Sequence, residues 1–289
     1  MNYSTGYGVI TPDGAQSFLR DGYVVVKNCI ERRVCDEWVR WAFERLGYDE
    51  TEPSTWDRQR IHLGPDRKVD VARFSPKAYA ATCDVVGSEE RLWTPYIWGD
   101  TFVVNLAEGA DRPFEPASAL SPGWHKDGYF FRHFLDSPEQ GLLTVVAWTD
   151  IRSTGGATFV APDSVGVVAR YLADHPEGVE PGEFGALIGE CRDFRELTAS
   201  AGDIVLIHPF MLHAVSQNVL RRPRIITNPP LFLRGPMRFD RSRYADHSLV
   251  EQAVLRALGV NRYKFTPTGE RRSDYPQWVI DAQRALAGI

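Results

Sequence analysis

Between residues 101 and 233 the chain is a succession of short β-branched and apolar runs separated by glycine and proline. Valine, isoleucine, threonine and aromatic residues favour strands, while glycine and proline favour the turns between them. Several short strands joined in this way predict a β-sandwich or barrel. We expect strands at 101–106, 142–148, 156–160, 194–198, 203–207, 211–215 and 224–233, the last broken by Pro229 and Pro230.

Helical patterns flank this strand-rich middle. A helix is predicted at 11–20, with Thr11 as its N-cap and Pro12 in its first turn, and a strand follows at 23–26. An amphipathic helix at 31–46 ends at Gly47. The stretch 48–74 carries no clear pattern. Further helices are predicted at 75–86, 163–175, 246–258 and 277–286.

The pattern as a whole predicts a mainly β fold with flanking α-helices, namely a double-stranded β-helix (a cupin-like jelly roll). No internal repeat or low-complexity linker divides the 289 residues, so we expect a single domain. Its parts would be N-terminal helices in 1–100, a jelly-roll core in about 100–235 and C-terminal helices in 236–289.

Composition narrows the class of partner. The net charge of −5 offers no broad basic surface for nucleic acid, and no apolar run is long enough to span a membrane. The N-terminus lacks the charged and apolar regions of a signal peptide, and the four cysteines form no C-x-x-C pair. We therefore expect a cytoplasmic protein that binds neither nucleic acid nor a membrane. The sequence does not indicate its oligomeric state.

Two metal-ligating side chains stand two residues apart in the segment Pro122-Gly-Trp-His-Lys-Asp-Gly-Tyr-Phe130. In an extended strand, residues i and i+2 point to the same face, so His125 and Asp127 would converge on one spot. One further histidine would complete the two-His-one-carboxylate triad of non-heme Fe(II) oxygenases. His213 is a good candidate, because it follows an apolar strand that turns at Pro209, and late strands of a jelly roll lie beside early ones.

Three ligands on one face of the metal leave three adjacent coordination positions open, and these suit a bidentate 2-oxoacid and dioxygen. The second carboxylate of such a co-substrate needs a partner, and arginine is suited to it because it is planar, permanently charged and able to bind bidentately. Arg224 follows His213 by eleven residues, and Ser216 and Asn218 between them could form nearby hydrogen bonds. Arg222 is an alternative, since strand alternation would place it on the same face as Arg224.

Three segments together resemble the phytanoyl-CoA dioxygenase family of Fe(II)/2-oxoglutarate-dependent oxygenases. Residues 124–127 are similar to the W-H-x-D motif of that family, and residues 155–164 to its glycine, short strand and P-G-S-H stretch. Residues 213–224 contain the family's histidine, an asparagine five residues later and an Arg-Pro-Arg that ends eleven residues later. This spacing favours His213 over His208 as the third ligand.

The resemblance implies that His125, Asp127 and His213 bind Fe(II). It implies that Arg224 forms the salt bridge with 2-oxoglutarate, with Asn105 as a weaker candidate for contact with the same co-substrate. The implied reaction couples decarboxylation of 2-oxoglutarate to succinate and CO2 with the O2-dependent oxidation of an unactivated C–H bond, most simply a hydroxylation. Tailoring of a small natural product is a plausible setting by analogy with the family.

The carboxylate of Asp127 bears on the kind of reaction. The related halogenases lack this carboxylate so that chloride can bind the iron, and its presence therefore favours hydroxylation over halogenation. The same oxidant also serves desaturation, cyclisation and epimerisation, and the sequence does not choose between these and hydroxylation. The alternative from another class is a non-catalytic, metal-binding jelly-roll protein.

Aromatic and basic residues around the motif strands could line a substrate pocket, although aromatic residues are equally typical of a core. The candidates for contact with the substrate are Trp124, Lys126, Tyr129, Arg132, Trp148, Phe232 and Arg234. The loop at 108–121 is long enough to act as a lid and could equally be a plain surface loop. Three other histidines, His62, His175 and His247, have no partners in the sequence and are expected to be ordinary surface residues.

Overall fold

The computed structural model of the chain describes residues 8–275, 277, 280 and 281. Thr11 caps the first helix by accepting a hydrogen bond from the backbone N–H of Gly14, and Gly47 ends the second helix in a left-handed conformation, both as predicted. The helices within the described residues are α1 (Pro12–Asp21), α2 (Arg32–Leu46), α3 (Val71–Phe74), α4 (Pro76–Val86), α5 (Ser164–Asp174) and α6 (Leu249–Ala257). None of them is both long and apolar enough to cross a membrane. The helix predicted at 277–286 lies almost entirely outside the described residues.

The strands pair in an antiparallel manner. Those within the described residues are β1 (Tyr23–Val26), β2 (Arg60–His62), β3 (Lys68–Asp70), β4 (Ile97–Gly99), β5 (Phe102–Asn105), β6 (Leu142–Ala147), β7 (Thr158–Ala161), β8 (Arg195–Leu197), β9 (Ile204–Ile207), β10 (Leu212–Ala214), β11 (Arg224–Thr227) and β12 (Pro230–Leu231). A larger sheet has the order β1-β9-β6-β11-β5-β2, with β12 also paired to β6. A smaller sheet has the order β10-β7-β8, and β3 pairs with β4 alone. Each predicted strand is present, whereas β2, β3 and β4 had no clear signal in the sequence.

Strand alternation divides the apolar side chains into two layers. Val145 and Ile226 of the larger sheet point toward Val160 of the smaller sheet and form a core between them. On the other face of the larger sheet the side chains meet the helices, and Trp148 stacks on Trp38 of α2 with ring centroids 4.2 Å apart. Two facing antiparallel sheets with helices on the outside form a jelly roll, which confirms the predicted fold class.

A buried histidine at the turn between β9 and β10 makes stability depend on pH. His208 is fully buried; its Nε2 lies 3.2 Å from the carbonyl oxygen of Val250, and its Nδ1 accepts from the N–H of Phe210 at 3.1 Å. These two bonds require the neutral imidazole, and burial lowers the pKa of His208 to about 3. The unfolded chain takes up a proton here below about pH 6.5, so stability is lost as the pH falls from that value toward 3.

Replacing His208 with glutamine should therefore flatten the dependence of the free energy of unfolding on pH. The expected change in slope is up to about 1.4 kcal/mol per pH unit between about pH 6 and pH 4. Denaturant titrations at a series of pH values measure this slope. His175→Gln changes a partly exposed imidazole at the end of α5 and is the matched control. Equal slopes for the wild type and His208→Gln would show that His208 does not titrate in this way.

Candidate active site

The smaller sheet brings the two predicted histidine ligands together although 88 residues separate them. His125 lies beside β10, where its N–H donates to the carbonyl of His213 at 3.1 Å and its carbonyl accepts from the N–H of His213 at 3.0 Å. Residues paired in this way project their side chains to the same face. The two ring centroids are accordingly 4.3 Å apart. The late strand thus lies beside the early motif, as expected.

Asp127 completes a three-residue cluster with these histidines. Its Oδ1 lies 3.5 Å from Nε2 of His125 and 3.4 Å from Nε2 of His213, and the three potential ligand atoms all lie within 4.8 Å of one another. Neighbouring ligands of an octahedral ion with bonds of about 2.1 Å are ~3 Å apart, so both histidine–aspartate distances are close to those of ligands on one metal. The cluster therefore fits a divalent ion on geometry.

The tautomers of both histidines also suit the binding of a metal ion. Nδ1 of His125 lies 2.8 Å from the carbonyl oxygen of Gly123, and Nδ1 of His213 lies 3.2 Å from that of Met211. Because a carbonyl can only accept, the proton is on Nδ1 in each ring when the ring is neutral. The Nε2 lone pairs then face the cluster, which is the arrangement that outer-shell hydrogen bonds give to metal-binding histidines.

The electrostatics of the cluster favour a charged carboxylate. Burial by itself would raise the pKa of Asp127, but the neighbouring imidazoles of His213 and His125 more than offset this and hold that pKa well below its usual range. The hydrogen bond to Asp127 in turn raises the pKa of His125. Two imidazoles and one carboxylate are a donor set that suits Fe(II), and the half-exposed side of His125 leaves room for further ligands.

Arg224 is a buried cation without an anionic partner in the part of the chain that the structure describes. Its side chain is on the first residue of β11 and the residue is only 2% exposed. Nε donates to the carbonyl of Gly156 at 2.7 Å and Nη1 to that of Val103 at 3.2 Å, and no carboxylate among the described residues lies within 4.0 Å. Burial lowers the pKa of Arg224 to about 10. A buried unpaired charge is costly, so this guanidinium fits a carboxylate that a bound molecule brings.

The register of the larger sheet places Arg224 in a row with two other polar residues. Arg224 pairs with Asn105 of β5, and Asn105 pairs with Arg60 of β2, so the three side chains share one face. Asn105 is already engaged: its Nδ2 donates to the carbonyl of Ser216 at 3.2 Å, and its Oδ1 accepts from the N–H of Glu108 at 3.0 Å. The weaker candidate for 2-oxoglutarate contact therefore braces the surrounding backbone.

A cavity of about 360 Å³ adjoins His125. Its lining comes from β2, from the loop before His125 and from the residues after β10, and comprises Arg60, His62, Glu108, Arg112, Glu115, Ser121, Pro122, Gly123, His125, Phe159, Val215, Ser216 and Gln217. Ser216 was predicted to lie near the co-substrate. Arg60 and His62 were not predicted to lie here; His62 is exposed, as expected, and in addition lines this cavity. Their only sequence signal is the alternation Arg60-Ile61-His62 in a stretch without a clear pattern. The expectation that His247 is a surface residue is wrong, because His247 is only 3% exposed.

The loop that could act as a lid is hydrogen-bonded to the segment that follows β10. Nε2 of Gln217 donates to the carbonyls of Gly109 and Pro113, each at 3.0 Å, and its Oε1 accepts from the N–H of Glu115 at 2.8 Å. The ring of Phe114 also packs on Phe159 at a centroid distance of 6.2 Å. One glutamine next to Ser216 thus fixes the wall of the cavity.

The two alternative arginines occupy different environments. Arg222 is exposed and precedes the strand, whereas Arg224 begins it and points inward. Nδ2 of Asn218 donates to the carbonyl of Arg222 at 2.7 Å and to that of Asn105 at 2.8 Å, which fixes the turn before β11. The expectation that both arginines share one face is wrong, because alternation holds only within the strand.

Three of the predicted substrate residues point into the protein. Trp148 is 1% exposed and faces the helices, on the side of the larger sheet away from Arg224. Trp124 is buried against Phe194, and its indole N–H donates to the carbonyl of Ser118 at 2.9 Å. Lys126 is also buried, which lowers its pKa to about 7. Their side chains are therefore committed to contacts within the protein.

The other four predicted substrate residues lie nearer the surface. Arg132 faces Glu180, with Nε and Oε1 3.6 Å apart, and Arg234 donates to the carbonyl of Leu92 at 2.8 Å. Tyr129 is 82% exposed. Phe232 belongs to a group of half-buried aromatic residues, which are Trp93, Phe130, Phe232 and Tyr275. Contact of these four with a substrate stays a prediction.

A jelly roll that holds a His-Asp-His cluster beside its smaller sheet and a buried arginine on its larger sheet, with no carboxylate partner among the described residues, fits the class of non-heme iron, 2-oxoglutarate-dependent enzymes. The family model of phytanoyl-CoA dioxygenase (PhyH) matches residues 18–226. The chain therefore belongs to the phytanoyl-CoA dioxygenase family, whose enzymes use Fe(II), 2-oxoglutarate and O2. The predicted family, enzyme class and cofactors are confirmed.

Several solved structures are similar to this chain. The epimerase SnoN, in complex with Fe3+, alpha-ketoglutarate and nogalamycin RO, is 20% identical, with 76% of this chain and 82% of that chain covered and a TM-score of 0.45. HygX from Streptomyces hygroscopicus, with nickel and 2-oxoglutarate bound, is 15% identical, with 77% and 87% covered and a TM-score of 0.45. The carbocyclase SnoK from nogalamycin biosynthesis is 14% identical, with 81% and 87% covered and a TM-score of 0.41. No curated protein matches the sequence.

Proposed function

We propose that this enzyme hydroxylates an unactivated C–H bond of a small molecule and converts 2-oxoglutarate and O2 to succinate and CO2 in the same turnover. One oxygen atom of O2 would enter the product and the other would enter succinate. The observation that carries the proposal is that one jelly roll contains both the His125-Asp127-His213 cluster and the buried Arg224, which has no carboxylate partner among the described residues. The carboxylate of Asp127 supports hydroxylation over halogenation. By analogy within the family, we place the reaction in the tailoring of a small natural product.

The chain's own residues would bind and orient the reactants. Fe(II) with bound 2-oxoglutarate supplies the oxidising chemistry. His125 and His213 present Nε2 because their Nδ1 atoms are held by backbone carbonyls, and Asp127 contributes the negative charge of the ligand set. Arg224 would hold the distal carboxylate of 2-oxoglutarate in a charge-assisted, bidentate contact. The cavity beside His125 would admit the small-molecule substrate.

The direct test is succinate formation by the purified protein. Succinate should require Fe(II), 2-oxoglutarate and O2 together, and omission of any one should stop it. Incubation with candidate small molecules and mass spectrometry then identifies the oxidation, since hydroxylation adds one oxygen atom to the product. A product lighter than the substrate by two hydrogen atoms would indicate desaturation or cyclisation instead of hydroxylation. A product of unchanged mass that is an isomer of the substrate would indicate epimerisation. Absence of both metal and 2-oxoglutarate binding would favour a non-catalytic role.

A further inference from the structure

Lys126 stands between two of the candidate metal ligands and points away from them into the core. Its residue is 6% exposed. Three acceptors surround Nζ: Nδ1 of His133 at 2.8 Å, Oε1 of Gln140 at 3.0 Å and the backbone carbonyl of Asp127 at 3.3 Å. An ammonium group has three N–H donors, so this environment uses all of them, and no carboxylate of the described residues forms an ion pair with Nζ. The aromatic rings within 6 Å of Nζ are those of Phe131, Phe184 and Phe210.

The hydrogen bonds of His133 connect this ammonium to the turn after Asp127. Nε2 of His133 lies 2.8 Å from the carbonyl oxygen of Gly128, so Nε2 carries the proton and Nδ1 is free to accept from Lys126. Gly128 has a φ of 109°, and a Cβ there would lie 2.4 Å from the ring of Phe131. The turn is thus tightly packed, and Lys126 is linked to two consecutive carbonyls at its start, directly to that of Asp127 and through His133 to that of Gly128.

These contacts exceed what packing alone requires. Burying an ammonium without an acid partner is costly, and an apolar side chain of similar length would fill the same space without that cost. What the ammonium adds is a bond to the carbonyl of Asp127 itself and, through His133, to the next residue along the chain. A backbone fixed at two consecutive carbonyls directly after the Asp127 Cα restricts the directions in which its carboxylate can point.

We propose that Lys126 is a positioning residue for the metal-binding carboxylate of Asp127, acting together with His133 and Gln140. The inference rests on the proposed metal site. Outer-shell partners that orient metal ligands typically contribute about 10–100-fold to metal affinity. A purely structural role predicts a loss of stability alone. The positioning role predicts that metal affinity changes in a variant that remains folded.

The test compares Lys126→Met with the wild type in anaerobic Co(II) titrations at a temperature where both are folded. Lys126→Met retains most of the volume and removes the ammonium, and it should raise the Kd for Co(II) by about tenfold or more and alter the visible absorption of the bound Co(II). Thr144→Val is the matched control. It removes a buried hydrogen bond, that between Thr144 and the hydroxyl of Tyr96 at 3.0 Å, on the helix side of the larger sheet. Its Tm should fall while its Kd and spectrum stay unchanged.

A second variant keeps the proposal testable if Lys126→Met does not fold. Gln140→Met removes one of the three acceptors and should raise the Kd for Co(II) by roughly threefold or more. Wild-type Kd values and spectra in whichever of the two variants folds would overturn the positioning role. A wild-type protein that binds neither Co(II) nor 2-oxoglutarate would instead overturn the proposed function.

Discussion

Replacing Asp127 with alanine should lower the affinity for Fe(II) by more than about a hundredfold and abolish succinate formation. The Asp127 carboxylate is the anionic member of the cluster and lies within 3.5 Å of Nε2 of both histidines. Loss of an outer-shell partner alone typically costs about 10–100-fold in metal affinity, and loss of a ligand is expected to exceed this. Anaerobic Fe(II) titration and a succinate assay at saturating 2-oxoglutarate measure the two effects.

Asp111→Ala is the matched control for this substitution. Asp111 is an exposed carboxylate on the loop that borders the same cavity, next to the lining residue Arg112. Its removal should leave iron affinity and turnover unchanged. Because a ligand that binds only the native state raises stability, Ni(II) should raise the Tm of the wild type and of Asp111→Ala but not that of Asp127→Ala. Full turnover by Asp127→Ala would show that the metal is held elsewhere.

Arg224→Met should raise the concentration of 2-oxoglutarate needed for half-maximal turnover by ~10²-fold or more. Truncating one partner of a buried, hydrogen-bonded charge pair costs about 2–5 kcal/mol, and methionine fills much of the space of the arginine stem. Iron affinity without 2-oxoglutarate should change little, because Arg224 makes its protein contacts with the carbonyls of Gly156 and Val103. Titration of 2-oxoglutarate by calorimetry and by the succinate assay gives both quantities.

Two further substitutions sharpen this test. Arg222→Met removes an exposed guanidinium two residues earlier and should leave the 2-oxoglutarate requirement within about twofold of the wild type, since most exposed substitutions have small effects. Arg224→Lys keeps the positive charge but loses the planar pair of donors, so an intermediate requirement is expected. If Arg222→Met raised the 2-oxoglutarate requirement and Arg224→Met did not, the arginine that binds 2-oxoglutarate would be Arg222.

Elements with local signals in the sequence are found where they were predicted. The N-cap Thr11, the stop at Gly47 and the Ser75-Pro76 start of α4 each act through the few residues around them, so sequence alone places those boundaries. The short strands of the middle region were also recognisable, because β-branched residues and Gly/Pro turns alternate there. β2 escaped prediction because three residues with two charged or polar side chains resemble a loop.

The candidate site likewise contains some residues that the sequence revealed and others that only the folded structure revealed. His125 and Asp127 form a local pair, and the resemblance of the motifs to those of the family is what joined His213 and Arg224 to them as predictions. Arg60 and His62 were missed because nothing near them in the chain shows that β2 pairs with β5. Trp148 was misplaced among the substrate candidates because an aromatic residue beside a motif looks the same whether it faces a pocket or a core. The alternation of side chains along β6, which leads to Trp148, decides whether the ring faces a pocket or the core.

The sequence by itself determined the enzyme class and its cofactors, because the types of candidate ligand and their spacing are properties of the residues, but it did not determine which oxidation follows. Where each side chain points and what it meets follow only from the folded chain. Folding separates Arg224 from Arg222 because β11 begins at Arg224, after Arg222. It also buries the amino group of Lys126 among three acceptors, one of them fourteen positions away in the chain. Such contacts depend on packing of the whole fold, which a local pattern does not encode.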